Sequence, residues 1–260
     1  MDERELAEIK RSQSEAAHTR PPVADPEEIQ RYLNPPSNTP YPLEYAFHLL
    51  GNVSGKTVVD LGCGSGENLV PLCYRGARVI GVDISPDLID LARARLADAS
   101  QNASLSVASA YDTGLPTATA DVVFCIAILH HLELDRAKAE ILRILKPGGV
   151  LIIREPIRFS RLLDRMRRLL PSQEDVSEYE HPLTNSELSG FILGFEVTAG
   201  RCFRLPTLAL IQRTKKTFGR GGFWNTLDAW ILRTLPILAH FATVRVMSMT
   251  ARHAVAETSS

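Results

Sequence analysis

An apolar run, Val58-Val59-Asp60-Leu61, ends in Gly62-Cys63-Gly64-Ser65-Gly66, with glycine at every second position. A buried strand that stops this way must turn sharply, because glycine accepts backbone conformations that other residues avoid. A strand that turns through such a loop into a helix buries one layer only, so the unit has to be repeated around a shared core.

The chain supplies the repeats. Ala77 to Val82, Leu105 to Val107, Asp121 to Ile126 and Val150 to Ile153 are further short apolar runs with the length and composition of buried strands. Between them lie helical patterns. Ser85-Pro86-Asp87 caps a helix to about Asp98, with Leu88, Leu91, Ala92 and Leu96 on one face. Asp135 opens another, with Ile141, Leu142 and Leu145, closed by Lys146-Pro147-Gly148-Gly149. Strands alternating with helices imply right-handed β-α-β crossovers. Two later runs, Phe195 to Leu205 and Thr243 to Ala251, bring the expected strands to seven. The predicted fold is α/β, a Rossmann-like doubly wound sheet with helices on both faces.

Both ends are less regular. Residues 1–19 are polar and helix-favouring, with Leu6 and Ile9 as sparse apolar points, and read as a loosely held arm stopped by Pro21-Pro22. Asp25-Pro26-Glu27-Glu28 has the pattern of a helix start. Four prolines break the stretch from Asn34 to Pro42, and a short helix is expected from Leu43 to Leu50. Residues 1–50 are therefore assigned to an N-terminal helical arm or lid and 51–260 to one domain, with a regular half over 55–155 and a variable half over 156–260. In the latter, Phe159 to Leu170 reads as a basic amphipathic helix and Thr184-Asn185-Ser186-Glu187 as a capping box. A helix near Trp224 to Leu235 lies in an insertion before the last strand.

Composition limits the function classes. Of 260 residues 45% are hydrophobic and 23% charged, which excludes a wholly disordered chain. The four cysteines have no paired spacing, as in reduced thiols rather than a disulfide frame or zinc site. No secretory signal is expected from the charged start, and no apolar run reaches the roughly 18 residues of a membrane helix. A cytoplasmic protein is expected. Residues 1–150 hold 14 Lys and Arg against 20 Asp and Glu, whereas residues 151–260 hold 15 against 10. Arg154, Arg158, Arg161, Arg165, Arg167 and Arg168, with Arg213, Lys215, Lys216 and Arg220, would suit an acidic acceptor or anionic lipid. A solvated face is the preferred reading, so a membrane surface is not favoured. The chain has no basic stripe interleaved with aromatics, which argues against nucleic acid.

The glycine turn points to a ligand at the carboxyl ends of the strands. Its spacing is G-x-G-x-G with Asp60 two residues ahead, not the G-x-G-x-x-G of dinucleotide sites. An acid there suits a ligand with a cationic amine. Asp83, 19 residues after Gly64, is placed to accept both hydroxyls of a ribose, and Ile84 to pack on a flat base.

On these residues the chain resembles the class I S-adenosylmethionine-dependent methyltransferases, particularly the small-molecule branch of the ubiquinone- and menaquinone-biosynthesis type. The resemblance covers about residues 55–155 and rests on VVDLGCGSG (58–66), VIGVDIS (79–85), ASAYDTGLP (108–116), DVVFCIAILHHL (121–132) and LKPGGVLII (145–153). It implies S-adenosylmethionine as cofactor and no metal. Asp60, Gly62, Cys63, Gly64 and Gly66 would then border its methionine part, Asp83 and Ile84 its ribose and base, and Ala110 and Tyr111 its adenine. Where the family often has Gly-Asp beside adenine, this chain has Ser109 and Asp112 nearby. Cys125 and Ile126 would lie under the cofactor. Both Cys63 and Cys125 read as small packing residues rather than nucleophiles.

His130 and His131 follow the fourth strand. An imidazole there could take a proton as a methyl group is transferred, and His131 is the better placed. Glu155, past the fifth strand, is the second candidate base or substrate anchor. Tyr41, Tyr45 and His181 are candidate contacts to a small-molecule acceptor. Three functions remain open at this point: methyl transfer to oxygen, nitrogen, sulfur or carbon of a small molecule, a nicotinamide-dependent oxidoreduction on a similar sheet, and a non-catalytic binding protein that keeps the fold.

Overall fold

A computed structural model of the protein describes residues 2–18, 25–158, 181–205 and 223–251. The helices are α1 (Glu3–His18), α2 (Pro26–Leu33), α3 (Pro42–Leu49), α4 (Leu69–Tyr74), α5 (Pro86–Asp98), α6 (Leu134–Ile144), α7 (Asn185–Ile192) and α8 (Phe223–Thr234). The strands are β1 (Thr57–Leu61), β2 (Arg78–Asp83), β3 (Ser104–Val107), β4 (Ala120–Ile126), β5 (Leu145–Arg158), β6 (Leu183–Thr184), β7 (Phe195–Phe203) and β8 (Val244–Ala251).

Seven strands line up in the order β3-β2-β1-β4-β5-β8-β7, and the two-residue β6 pairs with β5. β1 to β5 run parallel, and β8 is antiparallel to both β5 and β7. The order reverses direction beside β1, which opens a crevice above the carboxyl ends of β1 and β4. Alternate residues of the central strands feed two cores. Val58, Val122, Phe124 and Ile152 pack with α2 to α5. Val59, Leu61, Val123, Leu151 and Ile153 pack with α6 and α7 on the other face. The doubly wound α/β expectation holds.

Local signals act as their chemistry requires. Ser85 Oγ accepts from the Leu88 N–H at 3.3 Å at the start of α5. At α7, Thr184 Oγ1 accepts from the Glu187 N–H at 3.2 Å and Glu187 Oε2 accepts from the Thr184 N–H at 2.8 Å, a complete capping box. β5 begins earlier than expected, at Leu145. The Lys146 to Gly149 turn continues into the strand through an irregularity in its pairing with β4. The predicted helix 159–170, the basic cluster 213–220 and residues 206–222 of the insertion lie outside the described residues.

The two helices after the polar arm pack inward. α2 and α3 belong to the core because Tyr32, Tyr45 and Phe47 are too large and apolar to leave in water. Phe47 is fully buried, with its ring centroid 5.2 Å from that of Phe124 in an edge contact. Arg75 donates to the Phe47 carbonyl at 2.6 Å and to the Tyr32 carbonyl at 3.3 Å, so one guanidinium satisfies carbonyls at the ends of both helices. Phe47→Ala should lower stability by about 3–5 kcal/mol in urea unfolding, the scale for emptying a packed phenylalanine site. A loss under about 1 kcal/mol would return α2 and α3 to the status of an appended arm.

Candidate functional site

The crevice encloses ≈ 810 Å³, part of it open to solvent. Each strand end contributes to it. Gly62 and Gly64 come from the turn after β1, Asp83 and Ile84 from the end of β2, Ala108 to Tyr111 from the segment after β3, and Ala127, Ile128, His131 and Leu132 from the loop after β4. The remaining wall is α1, through Arg4, Glu5, Glu8, Arg11 and Ser12.

Asp83 organises the first part of this wall. One of its carboxyl oxygens accepts from the Gly64 N–H at 2.9 Å and the other from the Ser85 N–H at 2.9 Å. An ionised carboxylate accepts about four hydrogen bonds, so these two do not exhaust it. Gly64 has φ +51° and nothing within 4 Å of where a Cβ would stand, so backbone is bared to the crevice. Gly66, at φ +82°, would set a Cβ 3.0 Å from Ala92, and its absence lets α5 come close beneath the turn. Arg95 Nε donates to the Ser65 carbonyl at 2.9 Å and holds the loop from behind.

Asp60 lies deeper than the sequence implied. It is fully buried, does not line the crevice, and neither carboxyl oxygen has a partner in normal hydrogen-bond geometry. Burial, then the charge of Asp83, pushes its pKa up to about 8, with the Asn68 side chain opposing in smaller measure. The expectation that Asp60 meets a ligand's ammonium is corrected on that ground. Cys63 and Cys125 are likewise packed inside, and burial is the main cause that raises both thiols. Cys63 Sγ would stand 3.0 Å from a Cβ at Gly81, so it fills space under the turn. Cys125 and Ile126 do not reach the crevice wall.

The two histidines divide. His130 Nδ1 is 2.8 Å from Glu155 Oε2, while Glu155 Oε1 accepts from the Ile128 N–H at 3.0 Å and the Leu129 N–H at 2.9 Å. Glu155 is fully buried, and with its carboxyl so engaged it is a positioning residue rather than the base or anchor the sequence suggested. It shapes the loop after β4, where Ala127 takes φ 56°. That loop turns His131 into the crevice, with its ring 4.0 Å from that of His130.

α1 carries what the sequence reading missed. Ser109 Oγ donates to Glu5 Oε1 at 2.6 Å, and Glu8 Oε2 stands 3.3 Å from His131 Nδ1. Glu8 also accepts from Arg11 Nε at 3.0 Å. Burial works to raise the Glu8 pKa, but the His131 and Arg11 hydrogen bonds outweigh it and hold the group at about 2. The signal was present in the positions 4, 8 and 11, one helical face of charges, joined by Glu5 and Ser12. Apolar periodicity, the usual guide, is silent on such a face.

The proposed acceptor contacts lie elsewhere. Tyr45 is buried against Phe203, with ring centroids 5.6 Å apart. Tyr41 lies under Arg31, whose guanidinium is 4.7 Å from the ring centroid. His181 Nε2 is 3.1 Å from Glu187 Oε1 near the start of α7. None of the three lines the crevice.

A methyltransferase domain family matches residues 59–153. A ubiquinone biosynthesis O-methyltransferase of Xanthomonas oryzae pv. oryzae is 29% identical over 170 residues, 61% of this chain and 69% of that protein. A trans-aconitate 2-methyltransferase of Azoarcus sp. is 38% identical over 120 residues, 44% of this chain and 45% of that protein. The family match over residues 59–153 and these relatives support a place among the class I S-adenosylmethionine-dependent methyltransferases. Within them it falls in the small-molecule branch, as an enzyme that uses S-adenosylmethionine. A solved relative in fold is geranyl diphosphate C-methyltransferase from Streptomyces coelicolor, with TM-score 0.61 and 15% identity over 96% of this chain and 99% of that one. At that identity the likeness concerns the fold. Among the described residues of this methyltransferase, no helix is long and apolar enough to cross a membrane.

The buried Asp60 gives the methyltransferase a testable pH dependence. Its folded pKa, about 8, lies above the ordinary 3.8. Between those values the unfolded chain gives up the proton and the folded one keeps it, so folding stability falls as pH rises. Asp60→Asn removes this loss. Urea unfolding should show the variant gaining on the parent from pH 4 to pH 8, and a constant difference would contradict the assignment.

Proposed function

We propose that the enzyme methylates a hydroxyl oxygen of a small molecule, with His131 taking the hydroxyl proton. The observation that carries this reading is His131 itself, held in the crevice wall with Nδ1 toward the Glu8 carboxylate. A proton kept on Nδ1 by the charge of the Glu8 carboxylate, 3.3 Å away, leaves the Nε2 lone pair as the base. The O-methyltransferase relative at 29% identity supports the choice of oxygen.

The cofactor assignment rests on the same crevice. Asp83 is placed for the ribose hydroxyls. Ile84, Leu88, Ala108 and Ala110 offer an apolar slot for the base, and the bared backbone at Gly64 borders the methionine part. Bound S-adenosylmethionine supplies an electrophilic methyl carbon. The chain's share is to align the acceptor oxygen with that carbon, exclude water and accept the proton at His131 Nε2 as the oxygen–carbon bond forms. The C–S bond breaks with its electron pair going to sulfur, which leaves S-adenosylhomocysteine. This reaction requires no metal ion. Residues 51–260 form the catalytic domain on this reading, with α2 and α3 packed into its core and α1 as its cover. The free thiols support a cytoplasmic setting.

Two measurements test it. Asp83→Ala should weaken S-adenosylhomocysteine binding by about 1.5–3 kcal/mol in calorimetry, and unchanged affinity in a folded variant would reject the ribose role. A panel of phenols, alcohols, carboxylic acids and thiols, read by S-adenosylhomocysteine release, should show turnover of a hydroxyl acceptor. His131→Asn should then cost about 10²–10⁴ in kcat. Turnover confined to carboxylic acids or thiols, or a hydroxyl acceptor indifferent to His131→Asn, would remove this mechanism.

A further inference from the structure

α1 is built the wrong way round for a helix that merely packs on a domain. Such helices turn an apolar stripe inward and charges outward. Here Leu6 is 48% exposed, whereas Glu5 and Ser12 are 8% and 3% exposed and, with Arg4, Glu8 and Arg11, face the crevice. A polar face is buried without cost only where it meets polar groups. Ser109 and His131 meet part of it. The same face lines the space that Gly62, Gly64 and Asp83 border.

The cofactor proposed for that space ends in an amino acid, with one ammonium and one carboxylate. Its ammonium needs an acid. Asp60, the acid that the sequence offers for it, is sealed beneath the turn. Glu8 instead faces the crevice, is held ionised near neutrality by its neighbours, and sits beside the cationic Arg11. The two side chains present the signs that an ammonium and a carboxylate would meet.

We propose that α1 is part of the cofactor site, with Glu8 and Arg11 receiving the amino-acid end of S-adenosylmethionine. The proposal rests on the cofactor reading given above. It makes α1 a wall that closes on the cofactor rather than a fixed part of the scaffold, because the crevice that the cofactor must enter is covered by it. It also places His131 and the amino-acid end at the same stretch of α1, since Glu8 touches both.

Two ligands separate this role from a structural one: S-adenosylhomocysteine, which has the amino-acid end, and 5′-methylthioadenosine, which lacks it. Calorimetry on the full chain should show Glu8→Gln weakening S-adenosylhomocysteine about ten-fold or more, the scale of a lost charge-assisted hydrogen bond. Methylthioadenosine should change less than about three-fold, since the contact removed is one it never makes. Arg11→Gln should act in the same direction. Hydrogen exchange on the unaltered protein supplies a reading free of folding effects. Amides of α1 should slow with S-adenosylhomocysteine and remain as they are with methylthioadenosine. Equal losses for both ligands, undiminished S-adenosylhomocysteine affinity, or α1 protection by both ligands alike would overturn the proposal. A parent protein that binds neither ligand would remove the cofactor reading, and this proposal with it.

Discussion

A carboxyl group without access to water decides where the chemistry can happen. Glu155, near the carboxyl end of β5, takes two backbone N–H groups and one imidazole from the loop that leaves β4. Those N–H groups have no ladder partner once β4 ends, and unpaired donors at that depth would each cost about 1–3 kcal/mol. The loop therefore folds around the carboxyl rather than freely. Its path includes Ala127 in the left-handed region and ends in the short helical turn Leu129–His131, which delivers His131 to the crevice. Position 155 is thus the reason that position 131 has a fixed address.

The same device recurs at the neighbouring strand ends. Asp83 ties the turn after β1 to the start of α5 through Gly64 and Ser85. Sheet register fixes the distance between these points, because β1 pairs with both β2 and β4 in unbroken parallel ladders. A rigid floor with carboxylates clamped at its rim is what a ligand site of this class requires: groups held in place before the ligand arrives. Asp60 is the cost of the arrangement. It lies under the glycine turn, and the nearby charge of Asp83 makes its ionisation harder still.

The sheet and most of the crevice were legible because their signals are local and periodic. Short apolar runs, glycines at alternate positions and the Ser85 and Thr184 caps all state their conformation within a few residues. Depth was not legible. Asp60, Cys63, Cys125 and Glu155 sit at motif positions, yet whether a side chain meets ligand or core depends on what packs over it from distant parts of the chain. Glu155 is such a case, since the loop it engages lies some 24 residues back, across the helix α6. The buried face of α1 was missed for another reason. Its inward face is charged, so a reading that equates burial with apolar periodicity places it in solvent. Tyr45 failed in the opposite sense. An aromatic residue offered as a ligand contact is spent on the core of α3, against Phe203.

The contrast between the floor and α1 has an energetic consequence. β1 to β5 are held by ladders and two apolar cores, whereas α1 lies against α5 and meets the segments after β3 and β4 and the start of α6 through Ser109, His131 and Arg136. The Asp2–Arg136 pair is half exposed, and pairs of that kind contribute about 0–1 kcal/mol. A helix that gives no residue to either apolar core opens at a smaller free energy than the sheet unfolds. Closure can then be driven by a ligand, since a ligand shifts an equilibrium by its difference in affinity for the two states. For a crevice whose inner face is charged, that difference is largest for a ligand that carries charges of both signs. The polar wall of α1 and its place outside the apolar cores are in this sense one property: an apolar wall would close on its own and keep the cofactor out.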